Sequence, residues 1–199
     1  MAGTADIAWI NRLKTYDGFY IIPDGYYTAI IECYAEGGNG GLGNQDPDIG
    51  DHLGASGGGG GAYAKTTIAV VPGDVIYGWR GTGGTSINSY ARYNDPNYAT
   101  VICLAEAGGS GSIMFAGIGG NEANCIGDVK VSGADSSVVV DENGTTGGEA
   151  APGEAESGLG GAGAVYPGGH ALHGGFYGGG GGGGCYLGGS IGDGQVGVV

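Results

Sequence analysis

The stretch Thr28-Ala29-Ile30-Ile31-Glu32-Cys33-Tyr34-Ala35-Glu36-Gly37-Gly38-Asn39-Gly40-Gly41-Leu42-Gly43 contains two kinds of order back to back. Ala29, Ile31, Cys33 and Ala35 alternate with Thr28, Ile30, Glu32, Tyr34 and Glu36. A period of two marks a strand buried on one face, here with the small apolar set inward. At Gly37 the alternation stops and glycine takes over, so the strand runs straight into backbone that has almost no side chains.

Upstream, Gly18-Phe19-Tyr20-Ile21-Ile22 reads as another strand, closed by Pro23-Asp24-Gly25, where proline presets φ and glycine accepts a positive φ. Downstream lie an acidic loop through Asp46, Asp48 and Asp51 and a second glycine run, Gly57 to Gly61. The strand Ala62 to Val71 follows, ends at Pro72-Gly73-Asp74 and returns as Val75 to Arg80; two such runs about a Pro-Gly turn predict a hairpin. Further strands are predicted at Thr100 to Glu106, Ile126 to Ser132 and Ser136 to Asp141. No sustained apolar stripe of helical period occurs. The expected fold is all-β, a small antiparallel β-sandwich or jelly-roll-like core with glycine-rich loops. Residues 18–141 would carry this core, 1–17 a lead-in anchored by Trp9 and Ile10, and 142–199 a glycine-rich C-terminal region packed on or beside it.

Glycine accounts for 52 of 199 residues, and with 6 prolines it reaches the fraction at which a non-periodic chain is usually disordered. The 13 Tyr, 2 Trp and 3 Phe, together with the strand patterns, argue for a folded chain. The run Gly178 to Gly184 sets a harder condition. Ordering seven glycines costs on the order of 10 kcal/mol, against a net ~0.5–1.5 kcal/mol returned per hydrogen bond. Nearly every N–H and C=O in the run must therefore find a partner. Extended, polyproline-II-like segments lying side by side can meet that condition, because backbones without Cβ atoms approach closely. The every-third-residue glycine of collagen is missing, so stacked segments are expected rather than a triple helix.

Six Lys and Arg face 20 carboxylates, a net charge of −14. That sign opposes binding to phosphate backbones and to anionic membranes, and no run of about 18 apolar residues is present to span a bilayer. The start, Met1-Ala2-Gly3-Thr4-Ala5-Asp6, does not read as a secretory signal, so release by lysis is the expected route if the protein acts outside the cell. Cys33, Cys103, Cys125 and Cys185 stand far apart without a CxxC pair. Buried free thiols fit this spacing better than disulfides, and zinc fits it least.

In order, Ile22-Pro23-Asp24-Gly25, the strand and glycine burst after it, and Gly57-Gly58-Gly59-Gly60-Gly61-Ala62-Tyr63-Ala64-Lys65-Thr66 resemble the glycine-rich domains of tailed-bacteriophage fibre and adhesin proteins. Val71-Pro72-Gly73-Asp74, Val101-Ile102-Cys103-Leu104-Ala105-Glu106 and Cys125-Ile126-Gly127-Asp128-Val129-Lys130-Val131-Ser132-Gly133 extend the resemblance over most of residues 18–190. The resemblance implies a non-enzymatic virion protein without a cofactor, assembled in the host cytoplasm and released by lysis. A fibre-tip or receptor-binding adhesin comes first among its functions. Its expected partners are other virion proteins, a host surface glycan or outer-membrane protein, and further copies of itself. A head-fibre or capsid-decoration protein, or the subunit of a self-assembling filament built by edge pairing of Tyr27 to Glu36 or Gln195 to Val199, is the alternative; an ice- or calcium-binding protein ranks below both.

Within the glycine-rich tail, Tyr166, His170, His173, Phe176, Tyr177 and Tyr186 interrupt runs that cannot bury them. They are the candidate receptor contacts, since rigid aromatic inserts give contact area at low entropy cost; the competing reading has them cover the core or pack between subunits. Asp46, Asp48 and Asp51 are weak Ca²⁺ candidates, better explained as a solvated acidic loop. The GxGxxG matches at Gly38, Gly40, Gly43 and at Gly158, Gly160, Gly163 are what chance gives in so glycine-rich a chain, and no helix follows the first. Asp51, His52 and Ser56 share residue types with a hydrolytic triad but lack a nucleophile elbow. Asn143-Gly144-Thr145 reads as a turn.

Overall fold

A computed structural model describes residues 18–43, 53–80, 87–94, 100–139, 141–152, 158–165, 167, 169–175, 178–185 and 191–192. The described part is all-β, apart from one 3-10 turn at Glu122–Asn124. Seven strands form two antiparallel sheets: β1 (Gly18–Ile21), β2 (Thr28–Tyr34), β3 (Tyr63–Ala69), β4 (Val75–Trp79), β5 (Ser89–Tyr93), β6 (Val101–Ala105) and β7 (Val129–Val131). One sheet has the order β1-β4-β5-β6 and the other β2-β3-β7. Between them lie Ile31, Cys33 and Ala35, the inward positions that the period of two gives β2 and its continuation, packed with Ala62, Ala64, Ala91, Cys103, Ala105 and Cys125.

The predicted hairpin does not form. β3 pairs with β2 and β7, whereas β4 pairs with β1 and β5, so the turn at Pro72-Gly73 carries the chain from one sheet to the other. The turn at Asp24-Gly25 makes the same crossing between β1 and β2. Gly25 and Gly73 have φ of +89° and +91°, with open space where a Cβ would sit, so backbone conformation is what selects glycine there. Two apolar faces close over each other when the chain arches between sheets; a local turn signal cannot tell that arch from a hairpin. Of the strand predicted at Ser136 to Asp141, residues 136–139 belong to neither sheet and lie extended in the glycine assembly described next, while Val140 lies outside the described residues.

Beyond Tyr34, Tyr63 and Ala105 the strands continue as extended backbone, and side chains cease to separate the layers. The Ala35 N–H donates to the Ala62 carbonyl at 3.0 Å, and the Ala62 N–H donates across to the Glu106 carbonyl at 2.9 Å. Ala62 immediately precedes β3 of one sheet and Glu106 immediately follows β6 of the other, so the sandwich becomes directly hydrogen-bonded there. The tapering core of Ala and Cys at this end permits the approach; Ile22, Val70, Ile68 and Ile76 hold the sheets apart at the other.

Segment 54–62 then becomes the axis of a lattice. Its N–H donors turn with a period of three. Ala55, Gly58 and Gly61 donate to the carbonyls of Gly184, Gly181 and Gly178, while Ser56, Gly59 and Ala62 donate to those of Ser112, Gly109 and Glu106. Gly54 and Gly60 donate to Asp141 and Ala134, and Gly57 to the Thr145 hydroxyl at 3.0 Å. Its carbonyls accept in the same rhythm from Ala35, Gly38 and Gly41, from Thr145, Gly148 and Ala151, and from Gly117 and Gly120. A threefold extended helix bonded in this way is the polyproline-II-like stack that the glycine energetics require. Six segments (35–41, 106–112, 117–120, 133–139 with Asp141, 145–151 and 178–184) surround the axis, and adjacent ones are bonded to each other.

Enclosure decides where glycine is obligatory. A Cβ on Gly58 would lie 2.0 Å from the Gly38 carbonyl oxygen, and one on Gly60 would lie 1.9 Å from that of Glu149. The run Gly178 to Gly184 is enclosed in turn, by 38–41, 55–61, 145–148, 161–164, 172–175 and Gly192. Rim segments face solvent on one side and carry a side chain there at every third residue, as with Thr146, Glu149 and Pro152.

Candidate functional site

The lattice has a sandwich end, at Ala62, and a distal end, at Gly54. At the distal end Ser112 and Phe115 close a tight turn: the Ser112 N–H donates to the Phe115 carbonyl at 2.9 Å, and the Phe115 N–H donates to the Ser112 hydroxyl at 3.1 Å. The turn holds Met114 and Phe115 outward, 74% and 73% exposed, and Leu42 stands beside them at the end of the neighbouring segment. Gly41, Leu42, Gly111, Ser112, Ile113, Met114 and Phe115 line an open recess of about 380 Å³. Large apolar side chains exposed on fixed backbone lose little entropy on contact, the condition for an efficient binding tip. Asp141 and Asn143 cap the same end, with the Asn143 N–H donating to the Asp141 carboxylate at 2.9 Å.

A second cluster stands on the outer face of the β1-β4-β5-β6 sheet. Phe19, Tyr77, Trp79 and Tyr90 form a continuous row of rings, with Trp79 and Tyr90 stacked at 5.1 Å and the Arg92 guanidinium 5.3 and 5.2 Å from their centroids. Three adjacent strands, β1, β4 and β5, make this row, and period two in Val75 to Trp79 carried half of it. The partner strand β5 was not among the predicted elements, and the row was therefore not legible.

His170 and His173 lie exposed on the outer segment 169–175. Tyr166, Phe176, Tyr177 and Tyr186 lie outside the described residues. Of their neighbours, Val165 accepts a hydrogen bond from Gly169 near the distal end, whereas Gly178 accepts from Gly61 at the sandwich end. Six residues separate Gly61 from Ala55, which bonds the distal Gly184; at ~3.1 Å per residue the two ends are roughly 19 Å apart. The described flanks of the tail inserts thus fall at both ends of the lattice and do not converge on one patch.

Other motif residues have lattice roles. Ser56 is fully buried and its hydroxyl accepts the Val139 N–H, and the Thr145 hydroxyl donates to the Ser137 carbonyl. In the first GxGxxG match the N–H groups of Gly38 and Gly40 donate to the Gly59 and Gly192 carbonyls, so they are committed to the lattice. Asp46, Asp48, Asp51 and His52 lie outside the described residues. Among the described residues no group of three or more His, Cys, Asp or Glu is placed to hold a metal.

All four cysteines are free and buried. The Cys103 thiol donates to the Ala64 carbonyl at 3.4 Å, and burial, reinforced by the Cys103 hydrogen bond, pushes the Cys33 thiol well above its ordinary pKa. These are inert core groups. No protein-family model matches the chain, and a search of the curated proteins finds no match either.

Proposed function

We propose that the protein is a non-enzymatic bacteriophage virion component that acts as a fibre-tip or receptor-binding adhesin, recognising a host surface glycan or outer-membrane protein. The carrying observation is the distal tip: Leu42, Met114 and Phe115 project from the end of a scaffold whose axial N–H groups are satisfied. Such a scaffold fixes its loops before contact, so binding proceeds by complementarity and without covalent chemistry. The order of strand and glycine segments that resembles the phage fibre proteins supports the same reading. The test is cell binding by purified protein. Met114→Ala with Phe115→Ala is expected to lower binding at least tenfold with an unchanged far-UV spectrum; wild-type binding by that variant would discard the tip as the contact.

A structural subunit, whether a capsid-decoration protein or a filament, is the second reading. β2 is an edge strand of seven residues, flanked by exposed Tyr27 and carrying exposed Ile30, the features that invite strand addition.

A further inference from the structure

Residues 158–165 form an outermost segment of the lattice. Its inner side is bonded to segment 144–150 through Gly144, Gly147 and Ala150, and to Gly180 and Gly183. Gly158, Gly161 and Ala164 are buried, so the remaining register turns Leu159, Ala162 and Val165 outward in one row. The Leu172 N–H donates to the Ala162 carbonyl at 2.8 Å, which sets Leu172 beside the middle of that row. Leu159, Val165 and Leu172 are 65%, 68% and 60% exposed.

Charge says what this row can meet. From Ser157 to Gly192 the sequence contains no Asp, Glu, Lys or Arg, in a chain with 20 carboxylates. On the opposite side of the lattice, the exposed Ile118 stands next to Gly119, whose N–H donates to the Asp135 carboxylate, and three residues before Asn121, whose N–H donates to that of Glu106. Two copies that each carry −14 repel wherever carboxylates face one another. The Leu159 row itself carries no carboxylate, and the exposed Glu149 of the bonded segment 144–150 stands to one side of it, so two copies can close on this row without setting carboxylate against carboxylate at its centre.

The row is also self-complementary. A two-fold axis at Ala162 sets Leu159 of one copy against Val165 of the other, and the reverse, around a small central residue; both rows repeat at three residues, roughly 9 Å. We propose that two copies of the chain pair through this flank, with Leu159, Ala162, Val165 and Leu172 forming the apolar centre and His170 and His173 its border. The four side chains offer on the order of 400 Å² per copy, about half the contribution of each partner to a standard interface, so the dimer is weak and concentration-dependent. It is a closed pair, distinct from the open polymer that edge addition at β2 would build, and independent of whether the tip binds cells.

Sedimentation velocity on the full chain, from micromolar to millimolar concentration, tests the proposal. Wild type should pass from monomer to dimer, and Ala162→Glu should raise the dissociation constant at least tenfold, while Ile118→Glu on the opposite flank leaves it unchanged. Because the four native thiols are buried, Ala162→Cys should cross-link to a dimer under mild oxidation and Ile118→Cys should not. A wild type that stays monomeric throughout, or an Ala162→Glu variant that assembles like wild type, overturns the proposal.

Discussion

The sandwich and the glycine lattice are made from the same continuous strands and cohere in opposite ways. In the sandwich each strand is hydrogen-bonded in one plane, and Ile31, Ala91 and Cys103 fill the gap to the facing sheet. In the lattice, segment 54–62 is bonded in six directions and nothing fills a gap, because no gap exists. The first region is held by apolar surface removed from water and the second by backbone contact. The sandwich is therefore weakened by taking atoms away, and the lattice by adding them.

Adding a single methyl group is the sharpest way to break that contrast. Gly60→Ala puts a Cβ 1.9 Å from the backbone oxygen of Glu149, whose segment is hydrogen-bonded to the axis on both sides of that residue and cannot yield alone. The expected loss exceeds about 4 kcal/mol in chemical denaturation, or soluble protein disappears, while the rim variant Thr146→Ala stays within ~0.5 kcal/mol. A Gly60→Ala variant of normal stability would mean that the lattice is not close-packed. Ile31→Ala probes the other region and should cost ~2–5 kcal/mol through the transfer term and the cavity left behind.

The smallest effect sharpens the comparison at the arch joining the sheets. Asp74 accepts hydrogen bonds from the Tyr93 hydroxyl, from the Val71 N–H at 2.7 Å and from the Asn94 amide at 2.9 Å, with the Tyr93 bond contributing most to holding its pKa below the ordinary value. A depressed folded-state pKa supplies stability above the unfolded value, near 3.9, and loses it as pH falls through the folded value. Wild type should therefore be more stable than Asp74→Asn at pH 7. The difference should shrink as pH drops below about 4, where denaturation curves of the two proteins converge. A gap that persists at pH 2 would locate the effect in packing.

Much of the sandwich was legible because each strand states its own period. Ala29, Ile31 and Cys33 point inward as alternation requires, and Gly25 and Gly73 take the positive φ that their turns signal. The need for mutual pairing of glycine runs was likewise legible from entropy alone. Sheet assignment was not: the Pro72-Gly73 turn is locally the same whether the chain doubles back in one sheet or arches to the next. The candidate surface was only partly legible. His170 and His173 are exposed, yet Met114, Phe115 and Leu42, separated by some seventy residues of chain, become neighbours only because segments 35–41 and 106–112 are bonded side by side.

By itself the sequence determined that this chain is β-structured, that its thiols are spaced for burial, and that its glycine runs must satisfy one another. These follow from local period and from the entropy of unbranched backbone, which no distant contact alters. Tertiary structure alone decided which runs are enclosed and which form the rim. Enclosure depends on six neighbours drawn from all along the chain, and it converts a flexible glycine into one that admits no other residue.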